Sequence, residues 1–239
     1  IINNIKYIYF IIKYMKKAIK RIINKDLKSI QNLDGIHVIF DEENLLKAKA
    51  IIFGPKDGVY ENSILLFYIE FPNNYPYSPP TIKYNSINNI RIHPNLYVNG
   101  KVCLSLLGTW HGPSWTSIMD ISSILITIRS LLDDNPLKHE PGYEKSNPKI
   151  YNLYNDIITY NSINSLIIDL YDKIPEDFSI FKAIIKKHII ENKDEIQNTI
   201  KNKKNIKSKI LYLPVYGIKT TINYNILNKK YKNFISNIL

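Results

Sequence analysis

The residues best suited to chemistry are one thiol and one carboxamide near the middle of the chain. Cys103 is the only cysteine among 239 residues, and Asn95 lies eight residues before it. A thiolate is a good nucleophile toward a thioester, and the thioester that it forms is readily attacked by an amine. The amide group of Asn95 is able to donate a hydrogen bond to the oxyanion that develops during that attack. These two side chains therefore predict acyl transfer through a thioester.

The chain that joins the two side chains is rich in turn-forming residues. Pro94 fixes its own backbone conformation and biases the residue before it, His93, toward an extended one. Asn99-Gly100 is a dipeptide typical of tight turns. We expect these restraints to hold Asn95 close to Cys103.

Two other interpretations of the cysteine remain open at this point. A lone cysteine is more often a buried structural residue on a hairpin than a nucleophile. A cysteine protease needs a histidine within hydrogen-bond reach, and no local protease signature surrounds Cys103. A single cysteine also excludes an intramolecular disulfide and limits a zinc site to one thiolate ligand. We expect no metal site, and a reducing compartment such as the cytosol or the nucleus.

The elements predicted around this segment indicate an α+β fold. Apolar residues at three- and four-residue spacing predict an amphipathic first helix over residues 15–30 and a largely buried helix over 121–132. Between them, short apolar runs separated by turn formers predict a four-stranded antiparallel meander, with helices on one face. The predicted strands are residues 35–40, 48–53, 64–71 and 81–84. Two further helical segments follow, around 150–157 and 163–170.

The positive charge is concentrated at the C-terminal end. Of the net charge of +11, residues 182–239 carry +10, from 13 lysines against three acids. We interpret residues 1–12 as an N-terminal extension, 13–172 as the catalytic domain and 173–239 as a basic, mostly helical C-terminal extension. Lysines without interleaved arginines or a recognisable module do not favour nucleic-acid binding. A helical extension with solvated lysines is the simpler interpretation of this region.

Membrane attachment is not expected from the sequence. The apolar stretch of residues 7–12 is too short to span a bilayer, which needs about 20 residues. That stretch also lacks the small-residue cleavage site of a signal peptide.

The motif around the thiol resembles the active-site signature of ubiquitin-conjugating enzymes. His93-Pro94-Asn95 is followed by Asn99-Gly100 and by Cys103, eight residues after the asparagine. Other parts of the family pattern surround it in order: Gly54-Pro55, Tyr60-Glu61, the proline-rich segment 71–80 and Trp115. The resemblance covers roughly residues 13–172 and implies the fold of that family, usually called the UBC fold.

Further segments resemble the large members of this family. Residues 103–113 and 140–144 are similar to those of the Z type, the O type and the giant inhibitor-of-apoptosis protein. A long C-terminal extension in which Phe181 follows Pro175-Glu176 is most similar to the Z type. A non-catalytic adaptor of the same fold is the alternative from another functional class, but such variants lack the cysteine that stands here.

The resemblance implies roles for individual catalytic residues. Cys103 accepts ubiquitin or a ubiquitin-like modifier from an activating enzyme and passes it to a lysine amine or to a ligase cysteine. The activating enzyme uses ATP, and no cofactor is expected on this chain. Asn95 matches the family residue that stabilises the oxyanion or orders the loop, and His93 matches a histidine that is usually structural. Relatives carry an acidic residue or serine that prepares the incoming lysine, whereas this chain has His139-Glu140 in the equivalent region.

The resemblance also implies surfaces for partner proteins. The basic face of the first helix, with Lys16, Lys17, Lys20 and Arg21, matches the surface that meets the activating enzyme. Tyr77, Ser117 and Ile118 match positions that touch ligases. Trp110 and His111 lie in an insertion after the cysteine, and Glu61-Asn62-Ser63 replaces the more usual Glu-Gly-Gly. The substrate lysines and the cognate ligase are not specified by these residues.

Overall fold

The computed structural model describes residues 14–239, so the predicted extension 1–12 and Lys13 lie outside the described residues. The chain divides into two compact units, each described here by itself. The first unit comprises residues 14–52, 66–85 and 95–130. The second comprises residues 53–65, 86–94 and 131–239. The catalytic-domain boundary at residue 172 stays a prediction.

The first helix, α1, covers residues 14–29. It is α-helical over 14–21, π-helical over Ile22–Asp26 and α-helical again over Leu27–Ser29. Ala18 and Ile22 are fully buried, whereas Lys16, Lys17 and Lys20 are exposed. The three- and four-residue spacing of the apolar residues therefore produces the amphipathic helix that it predicted.

The predicted meander is confirmed. The strands are β1 (Ile36–Phe40), β2 (Lys47–Phe53), β3 (Ile64–Glu70) and β4 (Thr81–Asn85), and they lie in that order in one sheet. β1 is antiparallel to β2 with Ile36 opposite Ile52, and β3 is antiparallel to β4 with Glu70 opposite Thr81. The connections between these strands have six to ten residues and contain no helix, as antiparallel neighbours permit.

Asp26 organises the first unit from inside. Its buried carboxylate accepts hydrogen bonds from Tyr75 Oη at 2.5 Å and from the backbone N–H of Ile121 at 2.9 Å. Ile121 begins the helix α2 (Ile121–Ser130), so Asp26 satisfies one of its orphan N–H groups. Burial raises the pKa of Asp26, although the bonds from Tyr75 and Ile121 and the charge of Arg21 oppose this rise. One side chain thus ties α1 to the proline-rich segment and to α2.

The second unit is mainly helical. Helix α3 (Pro148–Ile163) continues without a break as a π-helical segment, Asn164–Asp169, and a last turn, Leu170–Asp172. The two helical segments predicted around 150–157 and 163–170 are therefore one helix. After it come α4 (Lys182–Glu191), α5 (Lys193–Asn202) and α6 (Tyr224–Ile238).

A β-hairpin interrupts the predicted run of helices in the C-terminal extension. Strands β5 (Lys209–Leu213) and β6 (Ile218–Ile222) pair antiparallel, joined by a 3-10 turn, Pro214–Tyr216. Leu211, Leu213 and Ile222 are buried, so one face of the hairpin packs inward. The hairpin was not predicted, because the preceding lysine-rich residues 201–209 were interpreted as a solvated stretch and the alternation of Leu211 and Leu213 that follows is short.

Helix α6 is fixed to α3 by a polar contact. Lys230 Nζ lies 2.6 Å from Asp169 Oδ1 and 2.7 Å from Asn164 Oδ1. Several apolar side chains of the extension are also buried: Phe178, Phe181, Ile185, Ile189, Ile196 and Ile200. These contacts show a folded segment rather than a tail.

No helix within residues 14–239 is long and apolar enough to cross a membrane. In the same part of the chain, His, Cys, Asp and Glu side chains form no group of three or more that could hold a metal ion.

Candidate active site

Asn95 and Cys103 face each other across a short hairpin. The backbone N–H of Cys103 donates to the carbonyl of Asn95 at 2.9 Å, and Asn95 Nδ2 donates to the carbonyl of Cys103 at 2.8 Å. A backbone bridge between Leu96 and Val102 continues the pairing. The turn chemistry around Gly100 thus brings the carboxamide and the thiol-bearing residue together, as the sequence predicts.

Thr109, the residue before Trp110, holds the backbone on both sides of the cysteine. Thr109 Oγ1 accepts a hydrogen bond from the N–H of Leu104 at 2.9 Å and lies 2.8 Å from the carbonyl oxygen of Val102, to which it donates. Gly108 makes the required turn in the left-handed conformation, at φ 67°. No motif or spacing points to Thr109, because only the folded turn brings its hydroxyl to the backbone of residues 102–104.

The thiol itself is covered. Cys103 exposes 2% of its surface, which by itself fits a structural cysteine as well as a nucleophile. The neighbouring residue Val102 lines an open groove of about 360 Å³, together with Lys83 and Lys101. The side chain of Lys83 crosses Gly100, where a Cβ atom would stand 2.7 Å from its Cγ. The two lysines place positive charge along this groove, a feature that sequence reasoning missed.

His93 occupies a buried position without solvent contact. Its Nε2 lies 2.9 Å from the carbonyl oxygen of Leu131, to which the neutral ring donates. Burial, followed by the nearby charge of His139, lowers the pKa of His93 to about 3. The ring is therefore neutral at physiological pH, and its geometry supports the structural role that the sequence favoured over proton transfer.

The neutral His93 predicts a pH dependence of stability. The unfolded chain takes up a proton on this ring near pH 6.5, whereas the folded one does so only near pH 3. Keeping His93 neutral therefore costs the folded protein nothing above pH 6.5. Below that pH the unfolded state gains stability by binding the proton, so the free energy of unfolding falls until the pH approaches 3. Between pH 7 and 5 the loss should be about 2 kcal/mol in the free energy of unfolding. We expect the His93→Gln variant to lack this loss of about 2 kcal/mol between pH 7 and 5. Chemical denaturation at the two pH values measures it.

His111→Gln is the matched control, since His111 is exposed. That variant should keep the wild-type difference between pH 7 and 5. An unchanged difference in His93→Gln would contradict the assignment of a neutral, buried ring.

The two candidates for preparing an acceptor lysine are already hydrogen-bonded. His139 Nε2 lies 2.8 Å from Asp133 Oδ2, and its ring centroid lies 5.2 Å from that of His93. Burial raises the pKa of Asp133, but bonds from His139 and from the Asn135 N–H outweigh it, so the pKa is lowered and the carboxylate is favoured. Glu140 accepts a hydrogen bond from Tyr216 Oη at 2.6 Å. Sequence reasoning named neither Asp133 nor Tyr216.

The structure groups the predicted catalytic residues in two sets. Asn95 and Cys103 belong to the first compact unit. His93, His139 and Glu140 belong to the second, where the two histidine rings adjoin each other.

The predicted ligase surface lies on two linked loops of the first unit. Tyr77 and Ile118 are 66% and 77% exposed, and Ser117 is exposed beside Ile118. Trp115 Nε1 donates to the carbonyl of Pro76 at 2.7 Å, which joins the two loops. Large apolar side chains held at the surface in this way are suited to a protein partner.

The basic face of α1 divides into two groups. Lys16, Lys17 and Lys20 point to solvent. Arg21 instead uses its guanidinium within the protein, donating from Nη2 to the carbonyl of Met119 at 2.6 Å. Of the four predicted contact residues, we therefore expect the three lysines to carry the charge that a partner meets.

The replacement of two glycines in the segment 61–63 is tolerated by the backbone. Asn62 adopts φ 60°, a left-handed conformation that asparagine accepts better than most residues. The Gly54 N–H donates to the carbonyl of Ser63 at 2.9 Å and closes the turn. The departure from Glu-Gly-Gly thus leaves a regular turn in place.

Comparison with known proteins agrees with this geometry. A family model described as ubiquitin-conjugating enzyme matches residues 22–156. The chain is 34% identical over 200 residues to ubiquitin-conjugating enzyme E2 Z of Homo sapiens, covering 80% of this chain and 56% of that protein. It is 35% identical over 186 residues to the Danio rerio protein of the same name, covering 76% and 57%.

A third relative is much longer. The chain is 32% identical over 179 residues to the dual E2 ubiquitin-conjugating enzyme/E3 ubiquitin-protein ligase BIRC6 of Homo sapiens, covering 70% of this chain and 4% of that protein. The chain thus spans a little over half the length of the E2 Z proteins and a small part of this one.

Proposed function

Because the chain belongs to the ubiquitin-conjugating enzyme family, we propose that it carries ubiquitin, or a ubiquitin-like modifier, as a thioester on Cys103. It accepts the modifier from an activating enzyme and transfers it to a substrate lysine, usually together with a ligase. The observation that carries the proposal is the reciprocal pair of hydrogen bonds between Asn95 and Cys103, inside the region that the family model matches. The modifier we expect by default is ubiquitin, and the similarity to E2 Z proteins supports the Z-type subclass.

The first step is a transthiolation. The Sγ thiolate of Cys103 attacks the carbonyl carbon of the thioester on the activating enzyme. A new C–S bond forms to Cys103, and the thiolate of the activating enzyme leaves. The chemistry needs no cofactor on this chain, since ATP is consumed earlier by the activating enzyme.

The second step transfers the modifier to an amine. A lysine nitrogen attacks the thioester carbonyl, the Cys103 thiolate leaves, and the nitrogen loses a proton. Asn95 Nδ2 already donates to the Cys103 carbonyl, so this carboxamide orders the loop and stands next to the reacting group. His139, paired with Asp133, and Glu140 are the candidates to receive the proton or to orient the amine.

Two surfaces are proposed for the protein partners. The exposed lysines of α1 suit an acidic surface on the activating enzyme. Tyr77, Ser117 and Ile118 form the ligase-facing surface. A thiol that must remain reduced to react supports a location in the cytosol or the nucleus.

Charge reversal on α1 should slow loading selectively. We expect Lys16→Glu, Lys17→Glu and Lys20→Glu together to reduce the rate of Cys103 loading about tenfold or more, because like charges then repel the acidic partner surface. Discharge of a preformed thioester onto free lysine should not change. Initial rates of adduct formation at two salt concentrations give the measurement, and added salt should shrink the effect.

The matched control reverses three exposed lysines of the C-terminal extension, Lys201, Lys204 and Lys207. This variant has the same net charge change at another place. Equal loss of loading in both triple variants would show an effect of net charge and would contradict a specific role for α1.

A pulse–chase experiment tests the transfer step. The protein is loaded with activating enzyme, ATP and labelled ubiquitin, ATP is then removed, and free lysine is added. The proposal predicts that the labelled adduct decays and that ubiquitin bearing lysine at its C-terminus accumulates. A loaded protein that does not react with any amine over its hydrolysis lifetime would refute transfer to lysine.

A further inference from the structure

Tyr216 connects the C-terminal hairpin to the segment that carries His139 and Glu140. It ends the 3-10 turn between β5 and β6, and Gly217 follows it in the left-handed conformation at φ 62°. Its Oη donates to Glu140 Oε2 at 2.6 Å. Burial, followed by the proximity of Tyr154 and Glu140, raises the pKa of Tyr216, so the hydroxyl remains a donor throughout the physiological range.

The ring of Tyr216 makes a second contact, with an arginine. The Arg91 guanidinium carbon lies 4.9 Å from the ring centroid, a cation–π distance. Tyr154 supports both partners, because its ring lies 5.8 Å from that of Tyr216 and its Oη donates to the Arg91 carbonyl at 3.0 Å. The Tyr216 ring thus packs against the guanidinium, while Tyr154 holds the backbone of the same arginine.

The Arg91 guanidinium also binds the backbone of the motif His93-Pro94-Asn95. Its Nε donates to the carbonyl of His93 at 3.1 Å, and its Nη2 donates to the carbonyl of Pro94. Pro94 is bonded directly to Asn95, the residue that holds Cys103. Tyr216 thus contacts both the loop of the candidate proton acceptor and the side chain that fixes the backbone before Asn95.

The hairpin that presents Tyr216 is anchored in its own right. Its residues Leu211 and Leu213 are buried, and Lys209 Nζ forms an ion pair at 3.3 Å with Asp156 of α3. Tyr216 lies outside residues 22–156, the region that matches the family model. Its contribution therefore belongs to the C-terminal extension and not to the core of the family.

We propose that Tyr216 is a positioning residue for the transfer step. The C-terminal extension uses it to hold Glu140 in place and, through Arg91, to order the backbone of His93 and Pro94. The proposal rests on the proposed function, in which Glu140 belongs to the loop that meets the incoming lysine. It concerns discharge onto the amine, and it leaves the loading of Cys103 unaffected.

The test compares loading with discharge in hydroxyl-deletion variants of the full chain. Tyr216→Phe keeps the ring over Arg91 and removes only the bond to Glu140. We expect discharge onto free lysine to slow about tenfold, while loading stays within about twofold of wild type. Tyr212→Phe is the matched control, since that ring is 57% exposed on the same hairpin, and its discharge should equal that of wild type.

A double variant separates positioning through Glu140 from general loosening. If the hydroxyl acts through Glu140, adding Tyr216→Phe to Glu140→Ala should cause no further loss of discharge. Tyr216→Ala also removes the ring from Arg91, so its additional loss should persist in the Glu140→Ala background. Thermal midpoints of all variants show whether each is folded.

The results that would overturn the proposal are distinct from those that would overturn the function. Wild-type discharge by Tyr216→Phe, or an equal loss of loading and discharge, would refute positioning. An additive loss in the double variant would refute action through Glu140. A wild-type protein that forms no thioester would refute the proposed function instead.

Discussion

Replacing Cys103 with serine is expected to convert a reductant-sensitive adduct into a reductant-resistant one. The serine hydroxyl is a poorer nucleophile than the thiolate, so loading should be slower. The product is an oxygen ester, which a thiol reductant does not cleave and which an amine attacks less readily than a thioester. Cys103→Ala should form no adduct at all. Gel electrophoresis with and without reductant distinguishes the three proteins.

The single cysteine makes this result unambiguous. No other thiol exists in the 239 residues, so a thioester of the wild-type protein must be on Cys103, and an ATP-dependent adduct that persists in Cys103→Ala would contradict the assignment. The substitutions should leave the hairpin intact, because Thr109 binds the backbone of Val102 and Leu104 and not the thiol. Equal thermal midpoints check that point.

Asn95→Ala is expected to load and then fail to discharge. The carboxamide donates to the Cys103 carbonyl and stands where it can order the loop or stabilise the oxyanion. Loss of one donor at an oxyanion costs about a hundredfold in rate. We therefore expect discharge onto free lysine to fall by about that factor, whereas loading falls much less. Single-turnover chase kinetics on the preformed thioester measure it.

The control for Asn95 is a second asparagine on the same hairpin. Asn99 Oδ1 accepts a hydrogen bond from the Lys101 N–H at 3.1 Å, whereas the Asn95 amide donates to the Cys103 carbonyl. Asn99→Ala should discharge within about threefold of wild type, since it loses only a turn hydrogen bond. Wild-type discharge by Asn95→Ala would rule out an essential role for that carboxamide.

Periodicity predicted the architecture because burial of one face is a local property of each segment. The alternation and length of the apolar runs gave the four strands, and the stripe that begins at Ile121 gave α2. The same reasoning missed the hairpin β5–β6. Its strands have five residues each and lie beside a lysine-rich stretch, so composition outweighed the alternation of Leu211 and Leu213.

The candidate site was predictable only where it is local in sequence. Asn95 and Cys103 belong to one hairpin, and turn residues between them predicted their proximity. Tyr216 reaches Glu140 across 76 residues, and no spacing rule connects them. The burial of individual side chains was not predictable either. Nothing in the sequence shows that the His93 ring is buried and neutral, or that the Arg21 guanidinium donates to a backbone carbonyl of this chain.

The central claim is that Cys103 becomes a thioester, and the most direct measurement is its ATP-dependent loading. The protein is incubated with activating enzymes and modifiers, and the intact adduct is analysed by mass spectrometry before and after reductant. The account predicts one modifier added only with ATP, attached at Cys103 and released by thiol. A protein that stays unmodified with every activating enzyme, or an adduct attached elsewhere, would contradict it.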